Sequence, residues 1–471
     1  MHATNTSIAS ESPEFWQQGQ ILEVVIEDLT DTGDGVGRWN DRVVFVPDTV
    51  PGDRVLVRLV RVKRQYANGK LHELLDESPH RQRPNCIVAD KCGGCQWQQI
   101  RYDCQLEAKR RQVTQTLARI GGMSEPPIDS LPVPSDELGY RNKATYPLAR
   151  SSQGRVQAGY YQKGSHKLVN LNQCPVQDPR LDPLLAQVKQ DIDTQGWSIY
   201  NEAENRGKLR HLSLRIGRRT GEILLTLVSR SQKLSGLEEQ ATQWMERYPK
   251  LVGVCLNVNS DRTNRILGSQ TRCVAGRPFL HEKFGGLTFQ LRSDTFFQVN
   301  TEAAEALLQA IAEEWQLTGD EVLLDAYCGI GTFTLPLATR VRQVIGLESQ
   351  PSAVEQAQQN ATLNEIDNVT FHQGKVKTWL KGYLDGEIDC TDPIDRVLLD
   401  PPRSGCDGAV IESLLQLRPQ RIAYISCKPA TLARDLKLLT SDGAYRVRQV
   451  KLADFFPQTA HVECAAFLER C

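Results

Sequence analysis

Cys427 stands in the run Tyr424-Ile425-Ser426-Cys427-Lys428-Pro429-Ala430-Thr431-Leu432, where an apolar strand-like stretch gives way to a helix opened by proline. A thiol there sits near a helix N-terminus, whose partial positive charge favours the nucleophilic thiolate, and Lys428 is beside it. A buried, inert cysteine is the plain alternative. The surroundings decide for the nucleophile. The last two strands read as Tyr445 to Ala453 and Val462 to Leu468; if they form an antiparallel ending, Glu463 falls at the same sheet edge as Cys427. That places an acid where a base is needed.

The elements that must position this pair begin near Glu321. Val322-Leu323-Leu324-Asp325, Val344-Ile345-Gly346-Leu347-Glu348, Val369-Thr370-Phe371, Arg396-Val397-Leu398-Leu399-Asp400 and Ile422 to Ser426 alternate with helical patterns. The alternation predicts a doubly wound parallel sheet, which keeps its ligands at the carboxyl ends of the strands. The first strand runs into Ala326-Tyr327-Cys328-Gly329-Ile330-Gly331-Thr332, and the second closes on Glu348, placed to accept from ribose hydroxyls. Thr334 occupies the place of the third glycine of a dinucleotide fingerprint, which favours S-adenosylmethionine over a nicotinamide dinucleotide. The fourth strand ends in Asp400-Pro401-Pro402-Arg403, with arginine where amino-group methyltransferases carry an aromatic residue.

Cys86, Cys92, Gly93, Gly94 and Cys95 form a compact C-x5-C-G-G-C pattern. Three thiols with glycines that let the backbone wrap closely need one more thiolate to hold a four-iron cluster, and Cys174 in Asn172-Gln173-Cys174-Pro175 is the expected fourth. Zinc is the competing metal. Cys104 lies in the helical run Tyr102 to Arg119 and reads as an ordinary buried thiol.

The chain has 471 residues and a net charge of -1, a length that calls for several domains. No apolar run approaches the roughly 20 residues of a membrane span, so a cytoplasmic protein with no membrane partner, acting as a monomer, is expected. The neutral sum hides two basic runs, Arg54 to His72 and Asn205 to Arg219, each with six Lys/Arg and no acid. Both suit phosphate contacts. Residues 1–15 read as a disordered tail. Short strands broken by Gly, Asp and Pro follow over 16–77 and predict a small closed barrel. It resembles the TRAM domain, an OB-like RNA-binding module, in its Gly33-to-Gly37 turn, its Val46-Pro47 turn and its Pro51-Gly52-Asp53 before a basic strand. Residues 78–290 read as a mostly antiparallel α+β domain holding the cysteine cluster, and 291–471 as the Rossmann-like α/β methyltransferase domain.

Across nearly its whole length the chain resembles the RNA uracil-5 methyltransferase family, most closely the branch that modifies 23S ribosomal RNA. The likeness runs through the four cysteines, Phe296-Phe297-Gln298-Val299-Asn300, Asp325 to Thr332, Glu348, Asp400 to Arg403, Ser426 to Pro429 and His461-Val462-Glu463. It implies Cys427 as nucleophile, Glu463 as base, and Gln298, Tyr327, Glu348 and Asp400 as S-adenosylmethionine contacts. It also implies a [4Fe-4S] cluster on Cys86, Cys92, Cys95 and Cys174, and an RNA substrate: 23S ribosomal RNA first, transfer RNA second. Thr332 and Lys428 stand where the family often has asparagine.

Overall fold

The computed structural model describes residues 16–129, 133, 135–388 and 392–471. The expected disordered tail lies outside them. The chain divides into two compact units, one running to Pro84 and taking in Gln96–Cys104, the other comprising Asn85–Cys95 and Gln105–Cys471.

In the first unit β1 (Ile21–Leu29), β2 (Gly35–Trp39), β3 (Arg42–Val46), β4 (Arg54–Val62) and β5 (Tyr66–Asp76) close into a barrel in the order β1-β2-β3-β5-β4. Alternation makes the core: Leu22, Val24 and Ile26 point inward from β1, and Val55, Val57 and Leu59 from β4. Buried Asp53 ties the Pro51-Gly52-Asp53 turn to the segment just after β5, accepting from Arg81 Nε (3.1 Å) and Ser78 N (3.0 Å).

The second unit begins its regular structure with α1 (Tyr102–Arg119), then β6 (Lys143–Arg150), β7 (Val156–Tyr161), β8 (Leu168–Asn170), α2 (Asp182–Thr194), β9 (Leu209–Ile216), β10 (Ile223–Ser229), α3 (Leu237–Arg247), β11 (Leu251–Val258) and β12 (Gln270–Gly276). The strands form one sheet, β12-β11-β10-β9-β6-β7-β8. It is antiparallel as expected except where β10 and β11 run parallel, a pairing that α3 bridges as the crossover. Tyr140 is buried, and its hydroxyl donates to Pro457 O at 3.0 Å.

The hairpin β13 (Phe279–Phe284) and β14 (Leu287–Arg292) leads into α4 (Thr301–Trp315), β15 (Val322–Asp325), α5 (Thr334–Ala338), β16 (Gln343–Glu348), α6 (Pro351–Leu363), β17 (Val369–Gln373), α7 (Val376–Leu384), β18 (Arg396–Leu399), α8 (Gly408–Leu417), β19 (Arg421–Ser426), α9 (Pro429–Thr440), β20 (Tyr445–Ala453) and β21 (Glu463–Arg470). The second sheet has the order β17-β16-β15-β18-β19-β21-β20. Pairing is parallel from β17 to β19, and β21 joins antiparallel on both sides. The order reverses between β15 and β18, so ligands are expected outside the carboxyl ends of these strands.

The second basic run is split: Arg206, Lys208 and Arg219 are exposed, while its central arginines are turned to internal partners. Arg210 is buried and donates to the carbonyls of Asn259, Asp261 and Thr263; Arg215 is buried and donates to those of Arg292 and Thr295. Arg218 pairs with Asp178 and Glu302, and Arg219 with Glu305. These guanidiniums satisfy loop carbonyls and buried acids that would otherwise be left unpaired, which is why the charge looked free in the sequence.

Candidate active site

The register of the sheet brings Cys427 and Glu463 together. Ser426 pairs with Cys464 across β19 and β21, so the next residue on one strand faces the preceding residue on the other. Glu463 is buried and Cys427 half-buried. The helix after Cys427 opens with Pro429 at its first turn and Lys428 as its N-cap, which puts Cys427 outside the helix.

Burial works against the expected easy ionisation of Cys427. Its thiol is pushed above its ordinary value by burial and then by the charge of Glu463, with Asp400 adding to the rise; the nearby Arg403 guanidinium opposes them. A helix end acts only over about its first turn, and here burial and two carboxylates work against it. Glu463 is itself raised well above the carboxylate range, by burial first and Asp400 second, with Arg403 again opposing.

Asp400, just beyond β18, is raised to about 7 by burial and by the neighbouring Asp325. Asp325, at the end of β15, is raised to about 6 by burial and by Glu348, against hydrogen bonds from Thr334 and the Tyr327 N–H. A row of acidic groups thus follows the carboxyl edge of the sheet: Glu348, Asp325, Asp400, Glu463. The Thr334 hydroxyl donates to Asp325 Oδ2 at 2.6 Å, which explains why a hydroxyl replaces the third glycine.

A cavity of about 330 Å³ opens over β15 and β16, lined among others by Ala326, Tyr327, Glu348, Ser349, Lys375 and Asp407. Tyr327 and Glu348 therefore lie where the sequence placed them. Asp400 and Gln298 are not in its lining. Gln298 is buried in the segment before α4, its carbonyl accepting from Asn142 Nδ2 at 2.8 Å. Gly331 carries the turn above β15 at φ +85°, a conformation that favours glycine.

Residues 101–471 match the tRNA (uracil-5-)-methyltransferase family, and residues 16–72 match the TRAM domain. The chain belongs to the tRNA (uracil-5-)-methyltransferase family. It is 65% identical to an uncharacterized RNA methyltransferase of Nostoc sp. over 96% of this chain and 97% of that protein. Against an uncharacterized RNA methyltransferase of Bacillus cereus it is 37% identical, again over 96% and 97%. In structure it is similar to the Pyrococcus abyssi tRNA (uracil-54, C5)-methyltransferase solved with S-adenosyl-L-homocysteine. The TM-score there is 0.74 with 28% identity, over 95% of this chain and 99% of that one.

In this family member the four candidate metal-ligating cysteines share one neighbourhood. The backbone of Cys92 bridges to Gln162, and the Gly93 N–H donates to Tyr161 O at 2.9 Å. Cys92 is pushed up by burial and then by the charge of Cys86, and Cys174 up to about 12 by burial, then by Cys95 and Cys86. The Tyr160 hydroxyl is likewise raised by burial and by the charges of Cys174, Cys92 and Cys95. Among the described residues, no three His, Cys, Asp or Glu side chains converge on one metal-ion position. Cys104, expected to be buried, is half-exposed and pairs with His80 Nδ1 at 2.9 Å.

The sequence reading missed Arg403. Its signal was the arginine after Asp400-Pro401-Pro402, which on its own marks only a departure from other methyltransferases.

Proposed function

We propose that this enzyme methylates C5 of a uracil in 23S ribosomal RNA through a covalent bond between Cys427 and C6 of the base. The observation that carries the reading is the pairing of Cys427 with Glu463 across the end of β19 and β21, beside Arg403 and Asp400. C5 of uracil is a weak nucleophile. Addition of the Cys427 thiolate to C6 makes an enolate whose C5 carries the electron pair. Once C5 bears the new methyl group, Glu463 takes the C5 proton, and the electrons of that C–H bond restore the C5–C6 double bond and expel the thiolate. Arg403, whose charge lies near the sulfur, favours its ionised form at both ends of the sequence. The base must be unpaired or flipped to reach the site.

S-adenosylmethionine, when bound, supplies the electrophilic methyl group. The residues fit it: the acidic row attracts a sulfonium cation and would repel a pyrophosphate, and Glu348 and Tyr327 line a cavity beside that row. Glu348 would hold the ribose, with Gln298 and Asp400 as the further contacts proposed on the family pattern. Cys86, Cys92, Cys95 and Cys174 would hold a [4Fe-4S] cluster. The donor set is all sulfur, and the buried Tyr146 hydroxyl, close enough to feel the Cys174 charge, has no hydrogen-bond partner. An all-thiolate set of four suits a [4Fe-4S] cluster, with zinc as the competing metal. Anaerobically purified protein should carry iron and sulfide in near-equal amounts, lost in Cys92→Ser; stoichiometric zinc instead would reject the assignment.

Transfer RNA is the second reading, favoured by the likeness over almost the whole chain to the archaeal tRNA enzyme. Mapping 5-methyluridine in RNA from cells lacking this chain separates the two: loss from 23S RNA supports the proposal, and loss from tRNA alone replaces it. Cys427→Ala should abolish methyl transfer while sparing RNA binding, and Glu463→Gln should accumulate a denaturant-resistant protein–RNA adduct. A fully active Cys427→Ala enzyme would end the covalent mechanism.

A further inference from the structure

Arg403 is exposed, yet its guanidinium stands near enough to the Cys427 thiol to favour the ionised form. The segment Arg403–Cys406 between β18 and α8 is not part of a strand or helix, so something else must fix it. That something is α9. Thr431 Oγ1 donates to Arg403 O at 3.4 Å, and the Arg434 guanidinium donates to Ser404 O at 3.0 Å and Cys406 O at 3.4 Å. Asp435, fully buried, joins these contacts: its Oδ2 accepts from the Cys406 N–H at 2.9 Å and from the Tyr424 hydroxyl at 2.6 Å, and its Oδ1 from Arg434 Nε at 2.8 Å. Gly405 sits at φ +79°, and a Cβ there would stand 2.6 Å from Asp435 Oδ2. The loop is thus held along its length by the helix that starts two residues after the nucleophile, and Tyr424 ties in β19, the strand that ends at Cys427.

We propose that Asp435 is a positioning residue for the nucleophile: by fixing the Arg403–Cys406 loop to α9, it keeps the Arg403 guanidinium near the Cys427 thiol. The inference rests on Cys427 being the nucleophile of the proposed reaction. A carboxylate is suited to the place because it offers only acceptors, and all three neighbours are donors. An asparagine in its place would turn an amide N–H toward one of them and leave that donor unpaired. The charged groups facing Cys427 are Glu463 from β21 and Asp400 and Arg403 from the loop after β18, with the buried Cys464 thiol also near. Of these, Arg403 is the group that favours the thiolate, so its displacement leaves burial and the carboxylates unopposed.

The test reads the thiol rather than methyl transfer. The full chain is alkylated with iodoacetamide from about pH 6 to about pH 10, and modification of the Cys427 peptide is followed by mass spectrometry. Asp435→Asn should move the alkylation midpoint up by about one pH unit, roughly tenfold slower labelling at neutral pH. Arg403→Ala should do the same, and the double variant no more than Arg403→Ala alone. A purely structural Asp435 would lower stability and leave the midpoint where it is, which overturns the proposal. Should Asp435→Asn not accumulate as folded protein, Arg434→Ala, at an exposed position, decides alone: a shift in the same direction supports the brace, and an unmoved midpoint refutes it. If the wild-type enzyme proves not to methylate uracil, the shift still reports on the brace, so the two readings fail separately.

Discussion

Glu463 makes Cys427 harder to ionise, and this effect can be measured at a single residue. The Glu463 carboxylate raises the Cys427 thiol because a second negative charge is disfavoured beside the first in a poorly solvated site. Glu463→Gln removes that charge and keeps the shape. The Cys427 midpoint should therefore fall, and alkylation near pH 8 should become several-fold faster, even as turnover is lost; an unchanged or slower rate would place the two groups apart. For the wild-type enzyme the sign is the same: both groups must lose a proton, both are raised, and activity should climb as pH rises through neutrality. Both residues were legible in the sequence because strand ends are, and β19 and β21 begin and end within a residue or two of where the pattern put them. The ionisation of Cys427 was not legible. It depends on Asp400 and Arg403, brought in by a loop whose path no periodicity encodes.

At the scale of elements, α1 was read with its bounds intact, Tyr102–Arg119, but not its partner. The turn between β20 and β21, which delivers Glu463, is gripped by that helix from about 345 positions away in sequence. Lys109 Nζ donates to Asp454 Oδ1 at 2.7 Å and to Phe456 O at 3.2 Å, and Gln105 exchanges hydrogen bonds with the side chain and N–H of Gln458. Lys109 and Asp454 are both 1% exposed. A lysine in a polar helical run reads as solvated; only the tertiary fold shows it buried. Breaking such a pair on one side costs more than removing it whole, because the remaining charge stays buried without compensation. Lys109→Met should destabilise the protein by about 3 kcal/mol or more, read from the denaturant midpoint. Lys109→Met with Asp454→Leu should recover a large part of that loss. Additive losses in the double variant would show that the two residues act independently.

At the scale of the whole molecule, the two basic runs looked equivalent in sequence and differ in the structure. In the run from Asn205 to Arg219 the two arginines of β9, a central strand, are buried on loop carbonyls, while Arg206, Lys208 and Arg219 stay exposed. The run from Arg54 to His72 lies on the barrel, whose outer face has no second layer to turn charge inward. There Arg54 is neutralised by Glu23 and Asp76, while Arg58, Arg61, Lys63, Arg64 and Lys70 are exposed. Arg58 even stands opposite Lys70 across β4 and β5, a like-charge pairing that costs stability. Such an exposed basic face suits a polyanion. If this face carries RNA phosphates, each contact adds about 0.7 to the slope of log affinity against log salt for a single strand. Arg58→Ala with Arg61→Ala should then flatten that slope by about 1.4 and weaken binding to all RNA sequences alike, with methyl transfer restored at high RNA concentration. An unchanged salt slope would move the RNA contact off β4 and onto the second unit.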